Sequence, residues 1–111
     1  MEHIGWGTGP WIVADDGVKA RAVLGNVTLF VPANVAIVEI PFRLDHPGPS
    51  VTLSVRYRDH AADPIVVRST EWSRYRLVVG GEKGDVRYEE LTLRPQAGDA
   101  TNVLLGKLVE Y

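Results

Sequence analysis

Three groups of side chains in this chain of 111 residues could do chemistry: three histidines, two adjacent pairs of carboxylates, and three tryptophans near arginines. The histidines come first because they ligate metals and move protons. His46 follows Asp45 and His60 follows Asp59. A single alternating run, Val51 to Arg58, separates the two Asp-His pairs. Eight extended residues span roughly 26 Å, so the pairs lie at opposite ends of one strand and cannot share a metal or a substrate within a protomer. They read as turns opened by aspartate. His3 sits near the first residue and is uninformative.

Glycoside hydrolysis needs two carboxylates facing one substrate. The adjacent pairs are Asp15-Asp16 and Glu89-Glu90. Neighbours on a strand point to opposite faces, so neither pair makes such a site alone. Asp15-Asp16 falls in a turn and could contribute oxygens to structural calcium, but the spaced acids of a calcium-binding loop are absent. With no cysteine in the chain, disulfides, thiolate zinc sites and thiol catalysis drop out together. No serine lies in a Gly-x-Ser-x-Gly elbow. Gly5, Gly7 and Gly9 are not preceded by a strand or followed by a helix or lysine, so they do not form a phosphate-binding loop. Asn26-Val27-Thr28 matches the glycosylation acceptor pattern, which is short enough to arise by chance. The chain reads as a non-enzyme with no cofactor.

The aromatic residues are more informative. In the run from Trp72 to Val79, Trp72, Arg74 and Arg76 share one parity, and Tyr75, Leu77 and Val79 share the other. An indole on a polar sheet face is a platform for the C–H face of a sugar ring, and arginines beside it can bond hydroxyls or a carboxylate. The competing placement turns Trp72 inward through a small bulge, to cap or rim the core. Trp6 and Trp11 flank a glycine-rich bend and suit packing more than ligand contact. Nine of the 12 bases are arginine. Arg56, Arg58, Arg74 and Arg76 can form an outward ladder with Glu39, Glu71, Glu89 and Glu110, which would also blunt edge-to-edge pairing.

The elements that must position these groups are strands. Val51, Leu53, Val55 and Tyr57 alternate with Thr52, Ser54, Arg56 and Arg58, the period-two pattern of a half-buried strand. Val18, Ala20, Ala22 and Leu24 form a second apolar row, and Val27, Leu29 and Val31 a third. Val86 and Tyr88 lie on one parity and Leu91 and Leu93 on the other, so a bulge is expected near Glu89-Glu90. Asp16-Gly17 is a favoured two-residue hairpin turn. Breaks are expected at residues 32–34, 45–50, 59–64, 80–85 and 95–102. Pro41, inside an extended run, indicates an edge strand or a bulge. No window shows a helical stripe. About nine short strands at this spacing fit an antiparallel sandwich or barrel.

Length and composition bound the rest. The chain is one domain spanning residues 1–111, with residues 1–10 an ordered lead-in. Apolar residues make up 45% and charged residues 23%, which excludes disorder. The formal net charge of −2 argues against a nucleic-acid binder that relies on bulk positive charge. Residues 1–10 lack the basic and apolar regions of a signal peptide. No stretch approaches the roughly 18 apolar residues of a membrane span, so direct membrane insertion is not expected. The sequence stops on Val109-Glu110-Tyr111 in an alternating pattern, which suits a domain of a larger protein or one that ends on its last strand.

The order of features resembles a known group. Gly5-Trp6 and Trp11 precede a short hairpin. An extended run, Val35-Ala36-Ile37-Val38-Glu39-Ile40-Pro41-Phe42-Arg43, leads to the alternating strand from Val51. Glu71-Trp72-Ser73-Arg74-Tyr75-Arg76-Leu77 then opens a late strand. This resembles the jelly-roll β-sandwich accessory domains of bacteria, including carbohydrate-binding modules. It is also similar to sandwich domains appended to membrane glycosyltransferases, which often open with a Gly-Trp segment. The resemblance implies a non-catalytic, extracellular or periplasmic module that binds an oligosaccharide or polysaccharide. Trp72, Arg74 and Arg76 match the sheet position for ligand, and Trp6 and Trp11 a loop rim. The chain lacks the row of exposed aromatics of modules for crystalline polysaccharides, which leaves shorter or soluble glycans. The competing expectation is a structural or interaction domain that packs on a neighbouring catalytic domain or forms a homodimer. A small metal-dependent jelly-roll enzyme is disfavoured because the histidines do not converge.

Overall fold

The computed structural model describes residues 4–80, 88–96 and 102–111, with side chains from residue 7 onward. Among these residues there are ten strands and no helix, and so none long and apolar enough to cross a membrane. The strands are β1 (Ile4–Thr8), β2 (Ile12–Val13), β3 (Lys19–Pro32), β4 (Ile37–Leu44), β5 (Val51–Tyr57), β6 (His60–Val67), β7 (Ser73–Val78), β8 (Tyr88–Pro95), β9 (Val103–Leu105) and β10 (Val109–Glu110). Every pairing is antiparallel. The chain is all-β, and its sheet curls into a half-barrel around a single core.

The long strand β3 makes the curl. Its start pairs with β9 through Arg21 and Ala22, and its end pairs with β8 from Val27 to Pro32. One strand therefore belongs to both halves: β4, β7, β9 and β10 on one side, β5, β6 and β8 on the other. The apolar rows expected from Val18 to Leu24 and from Val27 to Val31 thus belong to one element. The first row also breaks phase. Ala20 and Val23 are buried, whereas Leu24 is 60% exposed and Val18 44% exposed. The inward parity changes where β3 leaves one half of the sheet for the other, so a straight reading put Leu24 on the wrong face.

The core fills the inside of the curl. Leu29 of β3, Ile40 and Leu44 of β4, Leu53 of β5, Ile65 of β6, Leu91 and Leu93 of β8 and Leu105 of β9 are at most 1% exposed. Fully burying such side chains contributes roughly 1.5–3 kcal/mol each before conformational entropy is counted.

Several turns differ from expectation, each for a local reason. The Asp16-Gly17 hairpin forms, but with a longer loop: Ile12 pairs with Ala20 and Val13 with Lys19. The Ala14 N–H donates to the Val18 carbonyl at 3.0 Å, closing a turn in which Gly17 has φ +82°. The second hairpin is tighter than the break at 59–64 implied. Arg58 and Asp59, with φ of +51° and +61°, link β5 to β6 in two residues. Strand β6 then continues through Pro64, because a bulge opposite Leu53–Val55 and an edge position accommodate the missing N–H. No bulge occurs at Glu89-Glu90, since β8 pairs with β3 without a shift from Tyr88 to Leu93. Val86 and residues 81–85 and 97–101 lie outside the described residues, as does His3.

Pro41 is not on an edge. β4 has β7 on one flank and β9 and β10 on the other. The irregularity sits in the partner: three steps of β4, from Glu39 to Phe42, oppose four from Leu105 to Val109. Pro41 lies at this gap, where its carbonyl accepts the Gly106 N–H at 2.9 Å.

Candidate functional site

The site begins with a buried charge. Arg43 lies on β4 at the outward parity shared by Glu39 and Pro41, yet only 2% of it is exposed. The hairpin between β2 and β3 folds over this end of the outer face and delivers two carboxylates. Arg43 Nη2 donates to Asp15 Oδ1 at 2.8 Å, and Nε lies 3.6 Å from Asp16 Oδ2. Nη1 donates to the Leu44 carbonyl at 3.0 Å. The guanidinium also sits 5.4 Å from the ring centre of Trp72, within cation–π range.

Trp72 precedes β7 and is half-buried. Its place is on the outer face of β4, outside the apolar core cluster. The indole Nε1–H donates to Asp16 Oδ2 at 2.7 Å. Asp16 Oδ1 accepts the Val18 N–H at 3.0 Å. The Asp16 carboxyl is held below its ordinary value, first by the Val18 N–H, then by the Trp72 hydrogen bond and the Arg43 charge, against some desolvation. This cluster fixes the plane of the indole and ties the hairpin to the body of the sheet.

Beside Trp72 lies an open groove of about 440 Å³. Val18, Pro41, Trp72 and Gly106 form its apolar surface, and Lys19, Arg74 and Lys107 add its charges. Gly106 keeps the groove open at the gap between β9 and β10. A Cβ at this position would come within 2.9 Å of Pro41 Cβ and 3.5 Å of Trp72 Cζ3. Gly7 is required for a different reason: its φ is +95°, and a Cβ there would collide with the Asn26 carbonyl.

A second, exposed cluster adjoins the groove. Glu39 Oε1 accepts the Tyr111 hydroxyl at 2.7 Å and Arg74 Nη1 at 3.2 Å. The Tyr111 hydrogen bond is the largest cause holding the Glu39 carboxyl below its usual value; Arg74 and Arg76 add to it. The same bond raises the Tyr111 phenol.

The structure therefore brings Trp72 and Arg74 together at the groove. Arg76 is exposed on the same face of β7 but does not line it. Trp11 is elsewhere, half-buried with the Arg21 guanidinium 4.6 Å from its ring centre. For Trp6 only the backbone is described, paired with Thr28. Of the arginine–glutamate ladder, Arg74–Glu39 at 3.2 Å and Arg58–Glu89 at 3.6 Å form. The Asp-His pairs stay apart. The His46 side chain is 79% exposed and 3.4 Å from Asp45, while His60 lies beyond the far end of β5. Among the described residues no three His, Asp or Glu side chains gather where they could hold a metal. Asp15 and Asp16 instead face a guanidinium.

Arg43, Lys19, Lys107, Pro41 and Gly106 were not expected at the site. Arg43 had a readable signal, an arginine in an apolar strand and an acid pair elsewhere without a counter-charge. The lysines had none, because their meeting depends on the curl. No protein-family model matches the chain, and no curated protein matches it.

Proposed function

We propose that this protein is a non-catalytic carbohydrate-binding module that holds a sugar in the groove beside Trp72. One observation carries the reading: an indole on the outer face, its plane fixed by Asp16 and Arg43, borders a groove shared with Pro41 and Arg74. The apolar face of a pyranose packs on such a surface, and the exposed Arg74 nitrogens donate to its hydroxyls. The groove volume, about 440 Å³, lies within the range of small-ligand sites and suits one or two sugar units rather than a long flat polymer. Within this reading the half-barrel is a variant of the jelly-roll accessory domain, working outside the cytoplasm beside a catalytic partner. Arg76 and Trp11 do not line the groove and move out of the binding set, while the Trp6 side chain lies outside the described residues.

A glycan array with the wild-type chain and Trp72→Ala tests it. Binding to at least one glycan, lost in Trp72→Ala but kept in His60→Ala on the other half of the sheet, with unchanged circular dichroism, is the expected result. Unchanged retention of Trp72→Ala on every responsive glycan removes the platform.

A second reading has its own support. Ile12, Val13 and Val18 on the β2–β3 hairpin are 42%, 66% and 44% exposed, and Val18 also lines the groove. Contiguous exposed apolar surface marks protein-interaction sites. On that reading the hairpin packs against a partner or a second copy. Sedimentation of the chain separates the two: a stable dimer lost in Val13→Lys, with no glycan bound, favours the interaction domain.

A further inference from the structure

We propose that the groove selects an anionic saccharide, a sugar unit carrying a carboxylate or a sulfate, over its neutral counterpart. The inference rests on the sugar-site reading above and names the class of ligand. Its basis is the distribution of charge. The chain has a formal net charge of −2, yet the charged side chains that line the groove are all cationic: Lys19, Arg74 and Lys107. Arg74 is partly neutralised by Glu39 at 3.2 Å. Among the described residues neither Lys19 nor Lys107 has an acid within ion-pair distance, and both are exposed.

The nearby acids do not cancel this excess. Asp15 and Asp16 are turned onto Arg43, and Glu39 is shared between Arg74 and Tyr111, with Arg76 close enough to act on it. Among the described residues, the lining and the charged groups seen to act on it or on each other comprise the cations Lys19, Arg43, Arg74, Arg76 and Lys107 and the anions Asp15, Asp16 and Glu39. The three cations of the lining come from different elements: the start of β3, β7 and the gap between β9 and β10. A ring stacked beside Trp72 has lysines and an arginine around it to meet an acidic substituent. An apolar aromatic surface with a cationic rim selects an acidic sugar, because a neutral sugar gains only the stacking and hydroxyl contacts.

The test is isothermal titration of the full chain with three matched probes: a neutral galactose oligosaccharide, an oligogalacturonate and a sulfated galactose oligosaccharide. Either anionic probe should bind at least tenfold tighter than the neutral one in low salt, with the gap closing as salt rises. Lys19→Gln and Lys107→Gln should each weaken the anionic probe about threefold, more than they weaken the neutral one, as expected for exposed charges. Preference for the carboxylate or the sulfate probe alone supports the inference and identifies the acid. Equal, salt-independent binding of all three, unchanged by the lysine variants, overturns the inference and leaves the Trp72 platform intact. Binding of an anionic probe that survives Trp72→Ala, or equal binding of inorganic polyphosphate, overturns it as plain polyanion attraction. No binding of any of the three, beside Trp72-dependent binding of a neutral glycan on the array, overturns the inference and leaves the sugar-site reading standing.

Discussion

Two arginine–carboxylate clusters flank the groove, and they use the same chemistry at different depths. At one end Arg43, with its side chain 3% exposed, is enclosed by Asp15, Asp16 and Trp72. At the other, Arg74 is 58% exposed and reaches back to Glu39, whose side chain is 17% exposed. Both arginines leave strands on the outer face of the same half of the sheet. The difference is what covers them. The β2–β3 hairpin seals Arg43, so a lost partner there would leave a poorly solvated charge. Arg74 has solvent to fall back on, and ion pairs of its kind contribute little. The enclosed cluster is structural and holds Trp72 in place; the exposed one is available to a ligand.

The largest effect should come from the enclosed arginine. Arg43→Ala removes the charge beneath Trp72 and opens a void. Breaking a buried pair costs about 3–5 kcal/mol, and the loss should fall at the lower end because Asp15 is 79% exposed and regains water. Urea denaturation measures it. An Arg43→Ala chain as stable as wild type would mean that burial gives this cluster no special weight.

Next in size is Gly106→Ala. Its new Cβ would press on Pro41 at 2.9 Å and crowd Trp72, and overpacking of this kind costs about 1–3 kcal/mol. Ligand affinity should fall along with stability, because the same methyl group narrows the groove. Titration beside denaturation would show both, and a stability loss without an affinity loss would detach Gly106 from the site.

Trp72→Phe keeps a ring but loses the donor to Asp16. A smaller drop in stability than for Arg43→Ala is expected, with the hairpin amides of residues 14–18 exchanging faster with solvent. Unchanged exchange there would show that the indole hydrogen bond does not hold the hairpin.

The exposed cluster should respond least. Arg74→Ala should leave the denaturation midpoint unmoved while weakening glycan binding, the reverse of the Arg43 pattern. Acid sharpens the contrast further. Asp16 has a lowered folded-state value, so its contribution is present above the ordinary carboxyl value of 3.8 and is lost as pH falls through the lowered one. The Trp72 Nε1–H resonance, followed by nuclear magnetic resonance from pH 6 to pH 2, should move with that loss. At the alkaline end the Tyr111 phenol is raised, so its bond to Glu39 should persist through its ordinary value of 10.0 and break only above it. Ultraviolet titration of tyrosinate, with Tyr111→Phe as the reference, checks this.

Much of the strand pattern was legible in the residues. The alternation of Val51, Leu53 and Val55 marks a strand because period two admits one buried face, and all three are buried. Arg74 and Arg76 are exposed opposite Leu77, as their parity required. The failures fall where parity changes or a partner strand breaks. Leu24 and Val18 lie outside because β3 serves two halves of the sheet. Pro41 is central because the gap that tolerates it belongs to the chain's last segment, 64 residues on from Pro41 at Leu105.

Local composition by itself determined that the chain would be all-β, that Asp16-Gly17 would turn, and that Arg74 and Arg76 would face solvent. Those properties depend on neighbours one to five residues away. The groove does not. Arg43 meets Asp15 across 28 residues and Trp72 meets Asp16 across 56. Outward parity says only that a side chain leaves the core, not whether another part of the chain will cover it. The curl of the sheet and the fold of one hairpin decided that Arg43 is enclosed and Arg74 is left to solvent.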